Sequence, residues 1–398
     1  MTEEKNMPVI RFAGFTDTWE QRKLCNVATI ITGTTPSTAD GTNYDGNRLF
    51  VSPADIQGNR FVDNTITTLS DKGFNTGRVL PPTTSLFVSI GSTIGKVAQL
   101  SDYATTNQQI NAVVPCNEYD ADFMFSLLEN IAPTVRKSSA TQAVPIINKT
   151  AFGEIEIPFT SKQEQETIGR FFLDLDTLIT LHQYKYEKLI SVRKAMLGKL
   201  FPKEGSVEPE VRFAGFTDSW KQRKLGEIFE EYSEKGHAEL PPLTIIQGGG
   251  TIRRDESDRN LQYDTASLSS YKLVNEGDFI VHLRSFEGGL ERATTTGIIS
   301  PAYHTFHGEG TDSRFYYQYF RSSKFINVDL KPHVYGIRDG RSIDIDGMKT
   351  IEIPWTSLEE QRAIGNYIET IDTLITLHQR KLEKLKNIKK ALLDKMFV

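Results

Sequence analysis

The chain has 398 residues, of which 38% are apolar and 24% are charged. This composition excludes a wholly disordered or collagen-like chain, and the length predicts two or three domains. The net charge of −5 excludes a protein that binds nucleic acid by bulk positive charge alone. The sequence has two cysteines, Cys25 and Cys116, as expected of a reduced protein. With no signal-peptide pattern and no membrane-length apolar run, we expect a cytoplasmic location and no membrane partner.

Two segments of the sequence occur twice. Residues 11–24 (RFAGFTDTWEQRKL) and 212–225 (RFAGFTDSWKQRKL) are identical at 12 of 14 positions. Residues 155–201 and 351–397 repeat at an offset of 196 and share IEIPxTS, EQ, IG and DTLITLHQ. The segments between these blocks look unrelated. The repeat therefore predicts two units, each with a constant head, a variable middle and a constant tail.

Each constant tail is predicted to be a long helix. Ser161 with Glu164, and Ser357 with Glu360, match the capping box that starts many helices. Apolar residues then recur at alternating steps of four and three, which is typical of a coiled coil. Such a helix would be about 60 Å long, and the other tail is its nearest candidate partner. The polar positions of the two seams are His182, Arg193, His378 and Lys389.

The variable middles are predicted to mix short strands and helices, which places the chain in the α+β class. Alternating or continuous apolar runs predict strands at residues 86–90, 97–100, 111–115 and 278–283. Longer apolar and aromatic patterns predict helices at 122–131 and 313–325.

The search for a catalytic or metal-binding motif gives weak candidates only. Residues 91–97 (GSTIGKV) resemble a phosphate-binding loop but are one residue short and lack the Ser or Thr that ligates magnesium. His304 and His307 have no partner at ligand spacing, so we predict no metal site. Asp329 and Lys331 match part of a nuclease motif without the upstream acids. These gaps indicate a chain that binds or scaffolds and has no catalytic residues of its own.

Charge and polar side chains indicate where a nucleic acid could bind. Residues 180–203 carry six Lys or Arg against one acid, and residues 376–398 carry seven against two. These helix ends are either solvated faces or surfaces for a partner protein or the DNA backbone. In the middles, Asn and Gln suit adenine edges, Arg suits guanine edges, and Lys or Arg suit phosphates. The candidate DNA-binding residues are Thr93, Lys96, Asn107, Gln108, Gln109, Arg136, Lys137, Gln142, Arg253, Arg254, Arg284, Lys331, Arg338 and Arg341.

The whole arrangement resembles the specificity (S) subunit of type I restriction-modification enzymes. The resemblance rests on the duplicated head RFAGFTDxWxQRKL and the duplicated tail IEIPxTSxxEQxxIGxxxxxxDTLITLHQ. It implies target recognition domains at residues 1–160 and 211–356, each reading one half-site of a bipartite sequence in double-stranded DNA. It implies conserved helices at 161–201 and 357–398, packed as an antiparallel coiled coil with pseudo-twofold symmetry, and a linker at 202–210.

The resemblance also implies partners and cofactors that lie outside this chain. Two modification (methyltransferase) subunits would bring S-adenosylmethionine and methylate adenine. Restriction (translocase and endonuclease) subunits would use ATP and Mg. Three other readings stay open at the level of the sequence: a stand-alone transcription factor, a coiled-coil adaptor and a DNA-cleaving enzyme. No helix-turn-helix or basic-zipper pattern favours the first.

Overall fold

The computed structural model describes residues 7–139, 144–203, 205–257, 265–281, 290–335 and 342–397. The chain divides into two compact units. One unit combines Met1–Lys185 with His378–Val398, and the other is Tyr186–Leu377. Each unit thus contains one variable middle, the start of one long helix and the end of the other. This division cuts both long helices, so it does not test the predicted domain boundaries, which stay a prediction.

The first unit is built from short strands around a buried helix. Its helices are α1 (Leu24–Val27), α2 (Asp71–Thr76), α3 (Ala121–Ser139), α4 (Lys149–Gly153) and the start of α5 (Lys162–Leu200). Its strands are β1 (Glu20–Lys23), β2 (Ala28–Thr32), β3 (Tyr44–Val51), β4 (Phe61–Val62), β5 (Thr68–Leu69), β6 (Ser85–Val88), β7 (Val97–Leu100), β8 (Ala104–Thr106), β9 (Ile110–Pro115) and β10 (Glu156–Phe159). The strands predicted at 97–100 and 111–115 are confirmed, and the strand predicted at 86–90 is β6, which ends at Val88. The predicted helix at 122–131 is confirmed and extends to Ser139.

The second unit has shorter strands and the start of the other long helix. Its helices are α6 (Leu225–Ile228), α7 (Ser313–Phe320), α8 (Ile345–Lys349) and the first part of α9 (Leu358–Met396). Its strands are β11 (Lys221–Lys224), β12 (Glu230–Tyr232), β13 (Leu243–Ile246), β14 (Gly250–Arg253), β15 (Lys272–Val274), β16 (Phe279–Val281), β17 (Glu291–Arg292), β18 (Gly297–Ile299), β19 (His304–His307), β20 (Val334–Tyr335), β21 (Ser342–Ile343) and β22 (Glu352–Trp355).

Two predicted elements of the second middle differ in length from the structure. The strand expected at 278–283 is β16, and residues 282 and 283 lie outside the described part of the chain. The helix expected at 313–325 ends at Phe320. The hydroxyl of Ser322 accepts a hydrogen bond from the backbone N–H of Phe325 (3.1 Å), so a separate helical turn begins there. This local competition by a serine side chain explains why the longer helix does not form.

The two middles share a sheet frame even though their sequences look unrelated. In the first unit the largest sheet has the order β2-β9-β6-β7-β4, and in the second it has the order β12-β19-β16-β17. The first three pairings are antiparallel in both sheets. Each sheet also precedes one buried helix, α3 or α7. The two middles therefore share a sheet frame although their side chains differ.

Each constant head closes onto the constant tail of its own half. Strand β1 pairs antiparallel with β10, and β11 pairs in the same way with β22. The head also reaches the far end of the other helix, because the N–H of Ile10 donates to the carbonyl of Lys395 (3.0 Å). In the second unit, the N–H of Val211 donates to the carbonyl of Lys199 (3.1 Å). The same chain geometry therefore occurs twice.

The long helices pack antiparallel within each unit, which confirms the predicted coiled coil. In the first unit, Phe172 of α5 packs on Phe397 beyond the end of α9, and His182 further along α5 contacts His378. In the second unit, the end of α5 packs on Ile364 and Ile368 of α9. All ten seam residues of each helix are buried or half-buried: residues 168, 172, 175, 179, 182, 186, 189, 193, 196 and 200 of α5, and residues 364, 368, 371, 375, 378, 382, 385, 389, 392 and 396 of α9. The α+β class and the internal duplication are confirmed as well.

The predicted capping boxes are formed only in part. The backbone N–H of Glu360 donates to the Ser357 hydroxyl at 3.3 Å, as a capping serine requires. The Glu360 carboxylate, however, accepts two hydrogen bonds from Arg212, both 2.8 Å long. Glu164 does the same with Arg11, at 2.6 and 2.7 Å. The glutamate of the motif therefore holds the constant head.

The motif EQxxIG holds the variable middle as well. The side-chain oxygen of Gln165 accepts from the backbone N–H of Asp120 (3.1 Å), just before α3. Gln361 accepts from Asp312 (3.0 Å), just before α7. A Cβ on Gly169 would lie 2.3 Å from the Asp120 carboxylate, so only glycine allows this approach. These contacts fix where each buried helix of the middle begins.

An aromatic cluster follows the same contact in each unit. Phe123 packs on Trp19 of the head and on Phe397 beyond α9, with ring centroids 5.9 and 5.3 Å apart. Phe315 packs on Trp220 (5.6 Å) and Phe201 (5.0 Å). Each middle is thus seated on constant residues from both long helices.

In the described part of the chain, no helix is long and apolar enough to cross a membrane.

Candidate nucleic-acid interface

The first group of candidate residues forms a polar loop, defined here as residues 32–35 together with 107–109. Two backbone hydrogen bonds join the first segment to the residues on either side of the second: Gly33 donates to Ile110 (3.1 Å) and Thr34 donates to Thr106 (2.8 Å). A Cβ on Gly33 would lie 2.2 Å from the carbonyl oxygen of Asn107. Glycine at this position therefore brings the two segments of the polar loop into contact.

Side-chain hydrogen bonds set the shape of the polar loop. The Asn107 amide donates to the side-chain oxygen of Gln109 (3.1 Å) and accepts from the Gln109 backbone N–H (3.0 Å). Gln108 is exposed, and its oxygen accepts from the Thr35 hydroxyl (2.6 Å). Asn107 and Gln109 thus hold the loop conformation, and Gln108 is the amide best placed to meet an external group.

Two residues that the sequence did not single out belong to this surface. Arg78 is exposed at its guanidinium and donates to the carbonyl of Thr32 (2.5 Å). Thr35 contacts Gln108, as described above. Arg78 lies 29 residues before Asn107 along the chain, so only the fold brings it here. For Thr35, the polar run TGTTPST at residues 32–38 is a local signal of a loop.

The second group of candidate residues lines a cleft of about 640 Å³ in the first unit. Lys96, Arg136 and Lys137 contribute to its wall, as do Arg60 and Lys389 and the two acids that pair with them, Glu129 and Asp176. The Lys96 ammonium donates to the carbonyl of Ile56 (2.8 Å), and Arg136 donates to the carbonyl of Ile94 (3.0 Å). These contacts tie the walls of the cleft together.

This basic cleft, named for Lys96, Arg136 and Lys137, is adjacent to the polar loop through the turn at 91–95. Gly91 lies next to the Gln109 side chain, since a Cβ there would be 3.6 Å from its amide nitrogen. At the other end of the turn, the carbonyl of Thr93 accepts from the N–H of Lys96 (3.2 Å). The structure therefore brings amides and cations of the first middle onto neighbouring parts of one unit.

In the second unit, the described candidates Arg253, Arg254 and Lys331 differ in exposure and in their contacts. Arg253 is exposed and pairs with Asp255 (3.0 Å) at the end of the β13–β14 hairpin. Arg254 is half-buried, with its guanidinium 5.6 Å from the Tyr271 ring centre. Lys331 is exposed and starts a short helical turn. The remaining candidates, Gln142, Arg284, Arg338 and Arg341, lie outside the described residues.

The two weak catalytic motifs take part in ordinary side-chain contacts. His304 pairs with Glu231 (2.6 Å), whereas His307 pairs with the buried Asp278 (2.7 Å), so the two imidazoles contact different carboxylates. Asp329 accepts from Lys324 and from Tyr319, both at 2.9 Å. Among the described residues, no group of three or more His, Cys, Asp and Glu side chains could hold a metal ion.

The basic helix ends are divided between paired and exposed cations. Arg193 and Lys389, the two seam cations, form ion pairs inside their own units. The other lysines of these segments, such as Lys185 and Lys384, are exposed. Only these exposed side chains could therefore form either a solvated face or a surface that binds a partner.

Comparison with known proteins points in one direction. Residues 16–190 match the family model of the type I restriction modification DNA specificity domain. The chain is 25% identical over 332 residues to the type I restriction enzyme MjaVIII specificity subunit of Methanocaldococcus jannaschii, covering 76% of this chain and 74% of that protein. It is 27% identical over 188 residues to the HindI specificity subunit of Haemophilus influenzae, covering 46% of this chain and 40% of that protein.

A solved structure extends the likeness to the whole fold. The S subunit of a type I restriction-modification system from M. genitalium superimposes with a TM-score of 0.66 at 16% identity. The alignment covers 98% of this chain and 99% of that chain. Residues 16–190 are thus similar to the type I restriction modification DNA specificity domain, most of the chain is similar to a type I specificity subunit, and the whole chain shares the fold of an S subunit.

Proposed function

We propose that this chain is the DNA-sequence-recognition subunit of a type I restriction-modification complex and has no catalytic role of its own. Each variable middle reads one half-site of a bipartite sequence in double-stranded DNA. The observation that carries this proposal is the repeated seating of two differing middles on identical constant residues. Gln165 and Gln361 hold the start of α3 and α7 by the same hydrogen bond, while the sequences of the two middles differ.

The two groups of the first middle have different roles in this proposal. Gln108 and its neighbours in the polar loop contact base edges, because a side-chain amide can hold an adenine through two hydrogen bonds. The basic cleft contacts phosphates, because Lys and Arg side chains bind the DNA backbone whatever the base sequence. Arg253, Arg254 and Lys331 take the corresponding roles in the second middle.

The catalytic chemistry belongs to partners in this proposal. Two modification subunits, which carry S-adenosylmethionine, dock on the exposed surface of the long helices and methylate one adenine in each half-site. Restriction subunits join them and use ATP and Mg. The acidic net charge of −5 fits this division, since partner subunits then supply part of the electrostatic contact with DNA.

The proposal is tested by selecting DNA from a random library with the purified chain and with the chain bound to its modification subunits. We expect the complex to retain a bipartite sequence with a fixed spacer. A transcription factor would select its site without the modification subunits. An adaptor would select no sequence, and a nuclease would cut the library in the absence of partners. Any of these three results would contradict the proposal.

A further inference from the structure

The two cations within the coiled-coil seams are each held by a carboxylate of the other helix. In the first unit, the Lys389 ammonium lies 2.6 Å from the Asp176 carboxylate, and both side chains are nearly buried. In the second unit, an Arg193 guanidinium nitrogen lies 3.2 Å from the Asp372 carboxylate. Asp176 and Asp372 are the first residues of the repeated DTLITLHQ. The two ion pairs are therefore the same contact in each repeat.

A third partner joins each ion pair, and it comes from the variable middle. Lys389 also forms an ion pair with Glu129 of α3. Arg193 also donates to the side-chain oxygen of Gln318 of α7 (3.0 Å). We name Lys389, Asp176 and Glu129 the first junction. The second junction consists of Arg193, Asp372 and Gln318.

The first junction is part of a larger buried network. Arg60, whose side chain is 2% exposed, donates to Asp176 (3.2 Å) and to Asp122 of α3 (2.6 Å). The Asn130 amide donates to the carbonyl of Leu393 (3.0 Å) one turn beyond Lys389. Burial raises the pKa of the Glu129 carboxyl, while the Lys389 charge opposes that rise. Such a network is costly to leave incomplete, so it strongly favours one placement of α3 on the helices.

We propose that Glu129 and Gln318 are positioning residues, which set the direction in which each recognition domain faces DNA. The inference rests on the proposed function. A variable middle can change its base-reading loops freely only if it keeps a hydrogen-bond acceptor at this junction. Loss of the acceptor lets the domain settle at other angles on the helices. Its half-site preference then survives, but the distance at which the two half-sites are accepted becomes less strict.

The test measures spacer preference for the full chain bound to its modification subunits. The DNA panel keeps both half-sites and varies the spacer by one base pair at a time. We expect Glu129→Leu to reduce discrimination against the neighbouring spacers by roughly fivefold or more, the low end of typical coupling between sites. The double variant Glu129→Gln with Lys389→Arg copies the chemistry of the second junction and should restore discrimination. Glu118→Leu, an exposed carboxylate just before α3, is the matched control.

Two outcomes would overturn the proposal. The first is that Glu129→Leu weakens binding to every spacer alike, which indicates a structural role only. The second is that the copied junction fails to restore discrimination although it restores thermal stability. If Glu129→Leu does not fold, Gln318→Leu tests the same claim at the more exposed second junction. A wild-type complex that selects no bipartite DNA would instead refute the proposed function itself.

Discussion

Four letters of the constant motif TSxxEQxxIG have a defined contact in the structure. The glutamate binds the arginine of the head, the glutamine accepts from the backbone before α3 or α7, and the glycine leaves room for that backbone. The threonine hydroxyl donates to the same glutamate in both repeats. One short motif thus joins head, tail and middle, which explains why it can stay constant while the middle varies.

The glycine of this motif can be tested by alanine substitution. Gly169→Ala places a Cβ 2.3 Å from the Asp120 carboxylate, so we expect a loss of about 1–3 kcal/mol in the free energy of unfolding. Gly198→Ala in the same helix meets no atom within 4 Å and should raise that free energy by about 0.5–1 kcal/mol. Chemical unfolding of both variants measures the difference. Equal effects would show that the close contact with Asp120 is not a constraint.

The polar loop and the basic cleft predict different effects of alanine. Gln108→Ala should cost about 1–3 kcal/mol of binding to the preferred half-site and relax selectivity at one base pair. Lys137→Ala should weaken binding to all sequences alike and lower the salt dependence by about one unit of slope. Binding titrations at several salt concentrations, on matched and altered half-sites, separate the two. The reverse assignment of effects would exchange the proposed roles.

The candidate site was predictable from the sequence only as a set of residue types. Asn107, Gln108 and Gln109 are contiguous and amide-rich, so they were apparent without a structure. Arg78 and Arg60 were not, because no local pattern relates them to the loop or the cleft that they join. The roles of Asn107 and Gln109 within the loop also depend on hydrogen bonds that form only when the chain folds.

At the scale of elements, the long helices were the most predictable part of the molecule. Their heptad pattern and their repeated sequence indicated helix and partner, and the resemblance to specificity subunits implied the antiparallel orientation; the structure confirms all three within each unit. The shared sheet order of the two middles was not predictable, because short strands carry little periodicity and pair with distant segments. The partial capping boxes show the same limit: the sequence gives the right spacing, but tertiary partners take the glutamate.

The histidine pair predicts a pH dependence of the helix packing. The Nδ1 atoms of His182 and His378 are 2.8 Å apart. Burial lowers the pKa of His182, and so do His378, Lys381 and Lys185. The unfolded chain therefore takes up protons first as the pH falls below about 6.5, so it binds more protons than the folded chain. The free energy of unfolding should fall as the pH is lowered from 8 to 5.5.

Leucine at both positions tests this prediction, because it fills the seam with an apolar side chain. The double variant His182→Leu with His378→Leu should show a smaller decline of the free energy of unfolding over the same pH range. His237→Asn is the control, since half-buried His237 belongs to the second unit and hydrogen bonds to Glu234 and Glu239 raise its pKa. An unchanged decline in the leucine variant would exclude the pair as its cause.

At the scale of the whole molecule, the two long helices have their junction residues at equal separations along the sequence. Arg193 follows Asp176 by 17 residues on α5, and Lys389 follows Asp372 by 17 residues on α9. Each helix therefore contributes one member to each junction at the same separation. Lengthening one helix alone would therefore change the separation of its two junction residues and leave the separation on the other helix unchanged.

Matched insertions in both helices should lengthen the preferred spacer. Four residues added after Thr180 and four after Thr376 lengthen each helix by about 6 Å and make slightly more than one turn. The seam is then only mildly disturbed, as in a coiled-coil stutter. Since DNA advances about 3.4 Å per base pair, we expect a spacer about two base pairs longer with both half-sites unchanged. Retention of the original spacer at full affinity would mean that other elements set the distance.

The central claim is that each variable middle reads its own half-site on a constant frame. The most direct measurement replaces residues 26–150 with the corresponding middle of a related specificity subunit and maps adenine methylation in a host that supplies the modification subunits. The account predicts that one half-site changes while the other half-site stays the same. A change in both half-sites, or in neither, would contradict it.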